Sequence, residues 1–329
     1  MWAASPATAV ARTLCWARKR WLSALGGLVL VGACSNTAGQ GDVAEIAQTT
    51  QPSSSRPFPV EILTESFVDD TRRTEDPDAV RSAATRTLVT DLYVPVSDKP
   101  MPLVVHAHGH NGHPSKFSAL LRTWAEAGYV VAAPAFPMTN DEVPGDTDFR
   151  DYENQPRDVR FVIDELLRRS REGHPVLGGR VDPRRIGVSG LSLGGVTVSG
   201  VAFADCCRDD RLDAAIIMDA LPLPFQGELP VHQGVPLLVL HLTGDPQAPY
   251  EAATRLYGEA ASPKYLVTLV GDGHGEPYEN TPTPYDEVVA NTSVAFWDTY
   301  LGGEPGAIDR LVLAAESTDI SSLMFEARP

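Results

Sequence analysis

The sequence has few cysteines, few basic residues relative to acidic ones, and no long apolar segment beyond its N-terminal region. It carries 27 Lys and Arg against 43 Asp and Glu, for a formal net charge of -16. A chain this acidic repels nucleic-acid phosphates and anionic lipid head groups, which excludes a nucleic-acid-binding protein. With 43% hydrophobic and 21% charged residues, the composition is that of a globular protein.

The N-terminus has the pattern of an export signal. Arg18, Lys19 and Arg20 precede an apolar run that ends at Ala33 and is too short for a membrane-spanning helix, which needs roughly 20 residues. The last residues of the run and the cysteine after it, Leu-Val-Gly-Ala-Cys34, resemble the lipobox of bacterial lipoproteins. This resemblance implies lipid attachment to Cys34. We therefore predict that residues 1–33 are a signal peptide and that the protein is exported to the cell envelope, anchored to the membrane through Cys34 only. A plain signal peptide, with secretion of the chain, is the alternative.

The composition predicts one domain after a polar linker. Residues 34–59 are rich in Ser, Thr, Gln and Gly and predict a flexible tether, and residues 60–329 predict a single globular domain. Only Cys206 and Cys207 lie within that domain. In an oxidising compartment these adjacent cysteines either form a vicinal disulfide or remain buried thiols.

Apolar strand patterns alternate with helical patterns along this domain. The predicted strands are Thr85–Val94, Leu103–Ala107, Tyr129–Ala133, Arg185–Ser189, Ala214–Met218, Leu237–Leu242 and Tyr265–Val270. The predicted helices begin near Pro114, Pro156, Leu193 and Tyr285. This alternation predicts an α/β fold with a mostly parallel central sheet covered by helices on both faces. Functional residues in such sheets gather at the carboxyl ends of the strands.

A nucleophile motif occurs at one of these strand ends. Gly190-Leu191-Ser192-Leu193-Gly194 follows a predicted strand and opens a predicted helix, which is the context of a nucleophile elbow. The small residues on either side give the strained turn the room it needs. We predict that Ser192 is a catalytic nucleophile. The alternative is a Gly/Ser-rich helix start without chemistry.

A serine nucleophile requires a general base and a group that orients it. Asp245 and His274 follow the next strands, so Ser, Asp and His occur in the chain order of α/β-hydrolases. We predict His274 as the base and Asp245 as its orienting acid. Asp219, one strand earlier, competes for the role of the acid, and a histidine in an ordinary turn is the alternative for His274.

The oxyanion hole of such a site needs two backbone N–H donors. We predict His110, in the sequence after the Leu103–Ala107 strand, and Leu193, the residue after the nucleophile. A competing interpretation starts from the close spacing of four histidines, which could serve a metal-dependent hydrolase. The members of that cluster are His106, His108, His110 and His113.

Taken together, these segments resemble the α/β-hydrolase superfamily. The resemblance rests on Thr85–Pro95, Leu103–Gly109, Gly128–Pro134, Asp182–Gly195 and the loop around His274. Within the superfamily the chain is most similar to dienelactone hydrolases, chlorophyllase-like enzymes and platelet-activating-factor acetylhydrolase-like esterases, with cutinase-like polyester hydrolases as neighbours. Dienelactone hydrolase uses a cysteine nucleophile, so Ser192 departs from it. Leu193 and Val196 depart from the polyester hydrolases, which usually carry Met after the serine and a longer glycine run.

The resemblance implies an α/β-hydrolase fold and a serine hydrolase that cleaves carboxylic esters through an acyl-enzyme. No cofactor and no metal are expected, and the substrate is expected to be a small-molecule ester or an ester of a lipid or polyester. The Leu221–Phe225 segment either lines the cleft or is a surface loop. Besides the metal-dependent hydrolase, a non-catalytic ligand-binding lipoprotein on a hydrolase scaffold is the remaining alternative.

Overall fold

The computed structural model describes residues 57–76, 81–317 and 319–327. The predicted signal peptide, Cys34 and most of the predicted tether lie outside the described residues. The described chain begins three residues before the predicted domain boundary. Here the Phe58 N–H donates to the carbonyl of Glu126, and Val96 N–H donates to the carbonyl of Pro59, so residues 58 and 59 are fastened to the domain.

The core of the molecule is a nine-stranded sheet in the order β1-β2-β4-β3-β5-β6-β7-β8-β9. Strands β3 to β8 run parallel to one another, whereas β1, β2 and β9 form antiparallel pairs: β1 with β2, β2 with β4, and β9 with β8. The strands are β1 Val60–Asp69, β2 Arg86–Pro95, β3 Met101–Ala107, β4 Val130–Ala135, β5 Val181–Leu191, β6 Leu212–Met218, β7 Leu237–Gly244, β8 Lys264–Asp272 and β9 Ser321–Glu326.

Helices cover both faces of this sheet. They are α1 Ser118–Glu126, α2 Gln155–Arg171, α3 Leu193–Phe203, α4 Tyr250–Glu259, α5 Asp286–Trp297, which continues as a π-helical turn Asp298–Gly302, and α6 Ala307–Ala315. Side chains of α2, α3 and α4 pack into one hydrophobic core, and those of α1, α5 and α6 pack into the other. Along β7, Leu237 and Val239 enter the first core while Leu238 and Leu240 enter the second. This alternation explains why the inner strands carry apolar residues on both faces over most of their length.

All seven predicted strands and all four predicted helices are present, with ends shifted by a few residues. Strands β1 and β9 and helices α4 and α6 were not predicted. β1 and β9 lie at the sheet edges, where one side is exposed and polar residues interrupt the apolar pattern. In the described part of the chain, no helix is both long enough and apolar enough to cross a membrane.

Cys206 and Cys207 form a disulfide just after α3. Cys207 is buried and packs in a small cluster with Leu193, Val196 and Phe225. A cavity of about 230 Å³ lies beside this disulfide, but Ser192, Asp245 and His274 do not line it. The disulfide is thus part of the packing beneath α3.

Candidate active site

The predicted site residues follow the carboxyl ends of parallel strands and therefore share one edge of the sheet. Gly109 and His110 come after β3, Ser192 after β5, Asp219 after β6, Asp245 after β7 and His274 after β8. β3 and β5 are adjacent, with Ala107 opposite Gly190, and β5 and β6 are adjacent, with Leu191 opposite Met218.

Ser192 occupies the sharp turn between β5 and α3. Its φ of 54° and ψ of -117° place it in a region that residues other than glycine rarely adopt. A Cβ atom on Gly190 would lie 2.3 Å from the carbonyl carbon of Gly194, and one on Gly194 would lie 2.0 Å from the carbonyl oxygen of Ala107. The turn therefore closes only with glycine at both positions, and it leaves Ser192 partly exposed.

His274 and Asp245 form a close pair. Nδ1 of His274 lies 2.6 Å from Oδ2 of Asp245, whose side chain is fully buried. The other carboxylate oxygen of Asp245 accepts the backbone N–H groups of Gln247 and Ala248 at 2.7 and 2.9 Å. Asp245, held in this way, is placed to accept a hydrogen bond from Nδ1 of His274; in a neutral imidazole with its proton on Nδ1, Nε2 is a proton acceptor.

The His274 loop meets the Ser192 turn through their neighbours. A Cβ atom on Gly275 would lie 3.3 Å from Cδ2 of Leu191, the residue before Ser192. Ser192 and His274 are not joined by any hydrogen bond that the described residues form. Catalytic hydrogen bonds are often long before a substrate binds, and they tighten in the complex.

The two predicted oxyanion donors flank the Ser192 turn. A Cβ atom on Gly109, the residue before His110, would lie 3.2 Å from Cβ of Ser192 and 3.8 Å from its Oγ. Leu193 is the first residue of α3, where backbone N–H groups have no acceptor within the helix. Nε2 of the His110 side chain lies 2.8 Å from the hydroxyl of Thr147, and partial burial lowers the pKa of the imidazole.

Comparisons with known proteins test this architecture. No family model matches the sequence. No curated protein matches it either. Among solved structures, the chain is similar to a ferulic acid esterase from Streptomyces cinnamoneus, with a TM-score of 0.60 and 24% identity over 78% of this chain and 93% of that chain. The chain has the α/β-hydrolase fold.

Asp219, the rival acid in this α/β-hydrolase fold, does not pair with His274. Its Oδ1 atom accepts the backbone N–H of Leu242 at 2.9 Å and lies 3.8 Å from Nδ1 of His241. Asp219 is fully buried and has a φ of 40°. Burial, together with the negative charge of Asp245, raises the pKa of Asp219 to about 7. Asp245 is therefore the acid that contacts the histidine, and Asp219 is a buried carboxyl group behind that pair.

The four clustered histidines do not converge on one point. His106 Nδ1 lies 2.9 Å from the hydroxyl of Ser189, and the ring packs against Phe117. His108 Nδ1 lies 2.7 Å from the carbonyl of Gly109, and its Nε2 accepts the N–H of Phe136. Burial lowers the pKa of His106 to about 3 and that of His108 to about 4, so both are neutral.

Among the described residues, one cluster of side chains has the spacing of metal ligands, and it contains none of these four histidines. It consists of Asp219, Asp245 and His274, whose ligand atoms lie within 4.8 Å of one another. Two of its members form the hydrogen-bonded pair described above, so a metal there would replace that bond. The geometry gives no support to a metal-dependent hydrolase built on the histidine cluster.

Several supporting groups were not predicted from the sequence. Tyr278 is fully buried, and burial and the charge of Asp219 raise the pKa of its phenol well above the ordinary value. Glu276 accepts the backbone N–H of His274 at 2.7 Å. The sequence does contain one indication of the N–H groups that donate to Asp245. An Asp followed by Pro before a helix favours a turn in which the carboxylate accepts hydrogen bonds from backbone N–H groups two or three residues later.

Proposed function

We propose that this chain is a serine hydrolase that cleaves carboxylic esters through an acyl-enzyme, with Ser192 as nucleophile, His274 as base and Asp245 as the acid that orients it. The observation that carries the proposal is the bond between His274 Nδ1 and Asp245 Oδ2, at the sheet edge where Ser192 occupies a strained turn. A serine hydroxyl is a weak nucleophile unless a general base removes its proton. The Asp245–His274 pair, in which two backbone N–H groups hold the buried carboxylate, would supply that base.

In the proposed reaction, His274 Nε2 takes the proton of Ser192 Oγ as Oγ attacks the ester carbonyl carbon. The carbonyl oxygen becomes an oxyanion that accepts hydrogen bonds from the N–H groups of His110 and Leu193. The bond to the alcohol then breaks, and His274 gives its proton to the departing alkoxide. A water molecule hydrolyses the acyl-enzyme by the same steps, which restores the hydroxyl of Ser192. Throughout, Asp245 stabilises the imidazolium form of His274.

The similarity to a ferulic acid esterase supports ester hydrolysis over peptide hydrolysis or acyl transfer, which the same residues would also serve. A metal-dependent reaction and a non-catalytic scaffold lack any comparable support. The first has no converged histidine cluster, and the second leaves the Asp245–His274 pair without a role.

The proposal is tested with a fluorophosphonate probe followed by peptide mass spectrometry on the full chain. The wild type should carry the adduct on Ser192, and His274→Ala should lose it while remaining folded by circular dichroism. Ser192→Ala should lower kcat for 4-nitrophenyl acetate by about 10⁴–10⁶-fold. Ser97→Ala, in the turn between β2 and β3, is the matched control and should retain both labelling and turnover.

Two outcomes would contradict the proposal. One is the absence of an adduct on folded wild-type protein. The other is ester hydrolysis that persists in Ser192→Ala and is abolished by a chelator, which would assign the reaction to a bound metal. Activity that is unchanged by a chelator and lost in Ser192→Ala supports the serine mechanism.

A further inference from the structure

A row of aromatic side chains begins at His110 and continues through three residues that the mechanism does not use. The ring of His110 contacts Phe149 at 5.5 Å, Phe149 contacts Tyr152 at 5.8 Å, and Tyr152 contacts Phe225 at 5.4 Å between ring centres. None of these contacts is a face-to-face stack, with interplanar angles of 80°, 52° and 72°. The rings therefore do not cover one another's faces. Phe225 is nevertheless buried at 3% exposure, so the accessible part of the row is His110, Phe149 and Tyr152.

Both ends of the aromatic row join the predicted oxyanion donors. One end is His110 itself. At the other end, Phe225 and Tyr152 pack in the cluster that contains the side chain of Leu193. The row therefore contacts the side chains of both residues whose backbone N–H groups are proposed to bind the ester carbonyl oxygen.

The row is held rigidly by the fold. Phe149 and Tyr152 lie on a short 3₁₀ turn, Phe149–Glu153, whose central residue Asp151 is buried. The guanidinium of Arg86 donates to Asp151 Oδ1 at 3.1 Å, and Arg86 is itself buried. The Tyr152 hydroxyl donates to the carbonyl of Pro224 at 2.8 Å, which fixes its ring to the following loop.

Phe149 is 44% exposed on this anchored turn. The buried Arg86–Asp151 ion pair anchors the turn and keeps the large apolar side chain of Phe149 exposed to water. This exposure costs hydrophobic stabilisation, which a mobile loop could regain by burying the ring. An exposed aromatic side chain on an anchored turn, in contact with the ring of His110, is suited to a preformed apolar subsite, because rigid rings lose little entropy when a ligand binds.

The position of the row assigns it to the acyl part of the substrate. The leaving alcohol must lie toward His274, which protonates it. The ring contacts of Phe149, Tyr152 and Phe225 are with one another and with His110, and in the described chain they include none with the His274 loop. The acyl group therefore extends along the row.

The charges around the row disfavour an anionic acyl group. Asp148 and Glu153 lie on or next to the Phe149–Glu153 turn, and Arg150 is bound to Asp148 at 3.0 Å. Asp205 and Glu228 lie near Phe225 at the far end. A carboxylate on the acyl group would meet this acidic surface, so an uncharged group is favoured.

Building on the proposed function, we infer that His110, Phe149 and Tyr152, backed by the buried ring of Phe225, form a subsite for an uncharged aromatic acyl group, with Phe149 as its main specificity-determining residue. An aromatic ring gains edge-to-face contacts there that an alkyl chain does not make.

The test compares three esters with the full chain and its variants. Methyl 3-phenylpropanoate carries the ring on the acyl group, methyl hexanoate carries an alkyl acyl group, and phenyl acetate carries the ring on the leaving group. We expect Phe149→Ala to lower kcat/KM for methyl 3-phenylpropanoate about tenfold, mainly through KM. The loss should be about threefold or less for methyl hexanoate, and phenyl acetate should change by less than about twofold.

Two further variants separate aromatic contact from general effects. Phe149→Leu should restore methyl hexanoate turnover but only part of that for methyl 3-phenylpropanoate. Phe325→Ala on β9 removes a phenylalanine of nearly equal exposure, 43%, at the far edge of the sheet, and should leave all three esters unchanged.

The outcomes distinguish this inference from the proposed function. Equal losses for the three esters in Phe149→Ala, or a loss confined to phenyl acetate, would overturn the acyl subsite while leaving the serine mechanism intact. A wild type that hydrolyses methyl hexanoate more efficiently than methyl 3-phenylpropanoate would also overturn it. If the wild type turns over none of the esters and Ser192 takes no fluorophosphonate, both proposals fail.

Discussion

At the scale of single residues, Asp219 is a buried acid whose proton links folding to pH. Its folded-state pKa is about 7, chiefly because of burial, against an ordinary value of 3.8 for an exposed aspartate. Between these two values the folded chain retains a proton that the unfolded chain releases. The contribution of this neutral carboxyl group to stability is therefore complete below about pH 4 and is lost as the pH rises toward 7.

We expect Asp219→Asn to remove this loss, because an amide keeps the acceptor for Leu242 N–H and does not ionise. The free energy of unfolding, measured by urea denaturation, should fall between pH 4.5 and 7.5 less steeply in Asp219→Asn than in the wild type, with a difference on the order of a few kcal/mol. Asp272→Asn, at an exposed position near the same loop, should keep the wild-type slope. Identical slopes in all three proteins would show that Asp219 ionises normally.

The candidate triad could be predicted from the sequence because each member follows its own apolar strand in a fixed chain order. Ser192 also carries a local glycine signature. Phe149 and Tyr152 could not be predicted in the same way. Their placement depends on Arg86, more than 60 residues earlier in the chain, which binds Asp151 between them. No local pattern encodes an ion pair of that sequence separation.

At the scale of elements, the buried ion cluster around Arg86 joins β2 to α2 and to the Phe149–Glu153 turn. Arg86 Nε donates to Asp158 at 2.7 Å, and its Nη1 donates to Asp151 at 3.1 Å. Burial alone would lower the pKa of Arg86, but the charges of Asp158 and Asp151 raise it above its ordinary value. Burial also raises the pKa of Asp151, so this carboxylate depends on its cationic partner.

We expect Arg86→Met to destabilise the fold by about 3–5 kcal/mol, because it leaves two buried carboxyl groups without their shared cation. Urea denaturation at pH 7 measures this change. Arg168→Met removes an arginine from ion pairs on the exposed face of α2, and it should have little effect. Comparable losses in the two variants would mean that the cluster contributes no more than a surface ion pair.

The inner parallel strands could be predicted because burial on both faces makes them continuously apolar, as in β6 and β7. The edge strands could not. β1 alternates apolar residues with glutamate and threonine, and β9 is largely exposed. Helix α4 buries only Ala253 and Leu256, so its helical period is weak. These elements are stabilised by pairing with the neighbouring strand or by packing on the sheet face, and their own sequence pattern does not show this.

At the scale of the whole molecule, the lipobox-like sequence before Cys34 is the basis for our proposal that the chain is anchored to a membrane. We predict that Cys34→Ala, expressed in a bacterium that processes lipoproteins, moves the protein from the membrane fraction to the soluble fraction. Cys15→Ala, within the signal peptide, is the matched control and should leave the distribution unchanged. Fractionation with detergent extraction, together with mass spectrometry of the N-terminal peptide, measures both. A wild type that is soluble and carries no lipid would favour the plain signal peptide.

In the Phe149–Glu153 turn, one residue serves the stability of the fold and another serves substrate preference. Asp151 belongs to the buried ion cluster, so replacing it destabilises the fold, whereas Phe149 is 44% exposed and belongs to none of the hydrophobic clusters of the described residues. Descendants of this chain can therefore vary Phe149 at little risk to the fold. Diversification of acyl preference should concentrate at that single position, while the aspartate two residues away stays fixed.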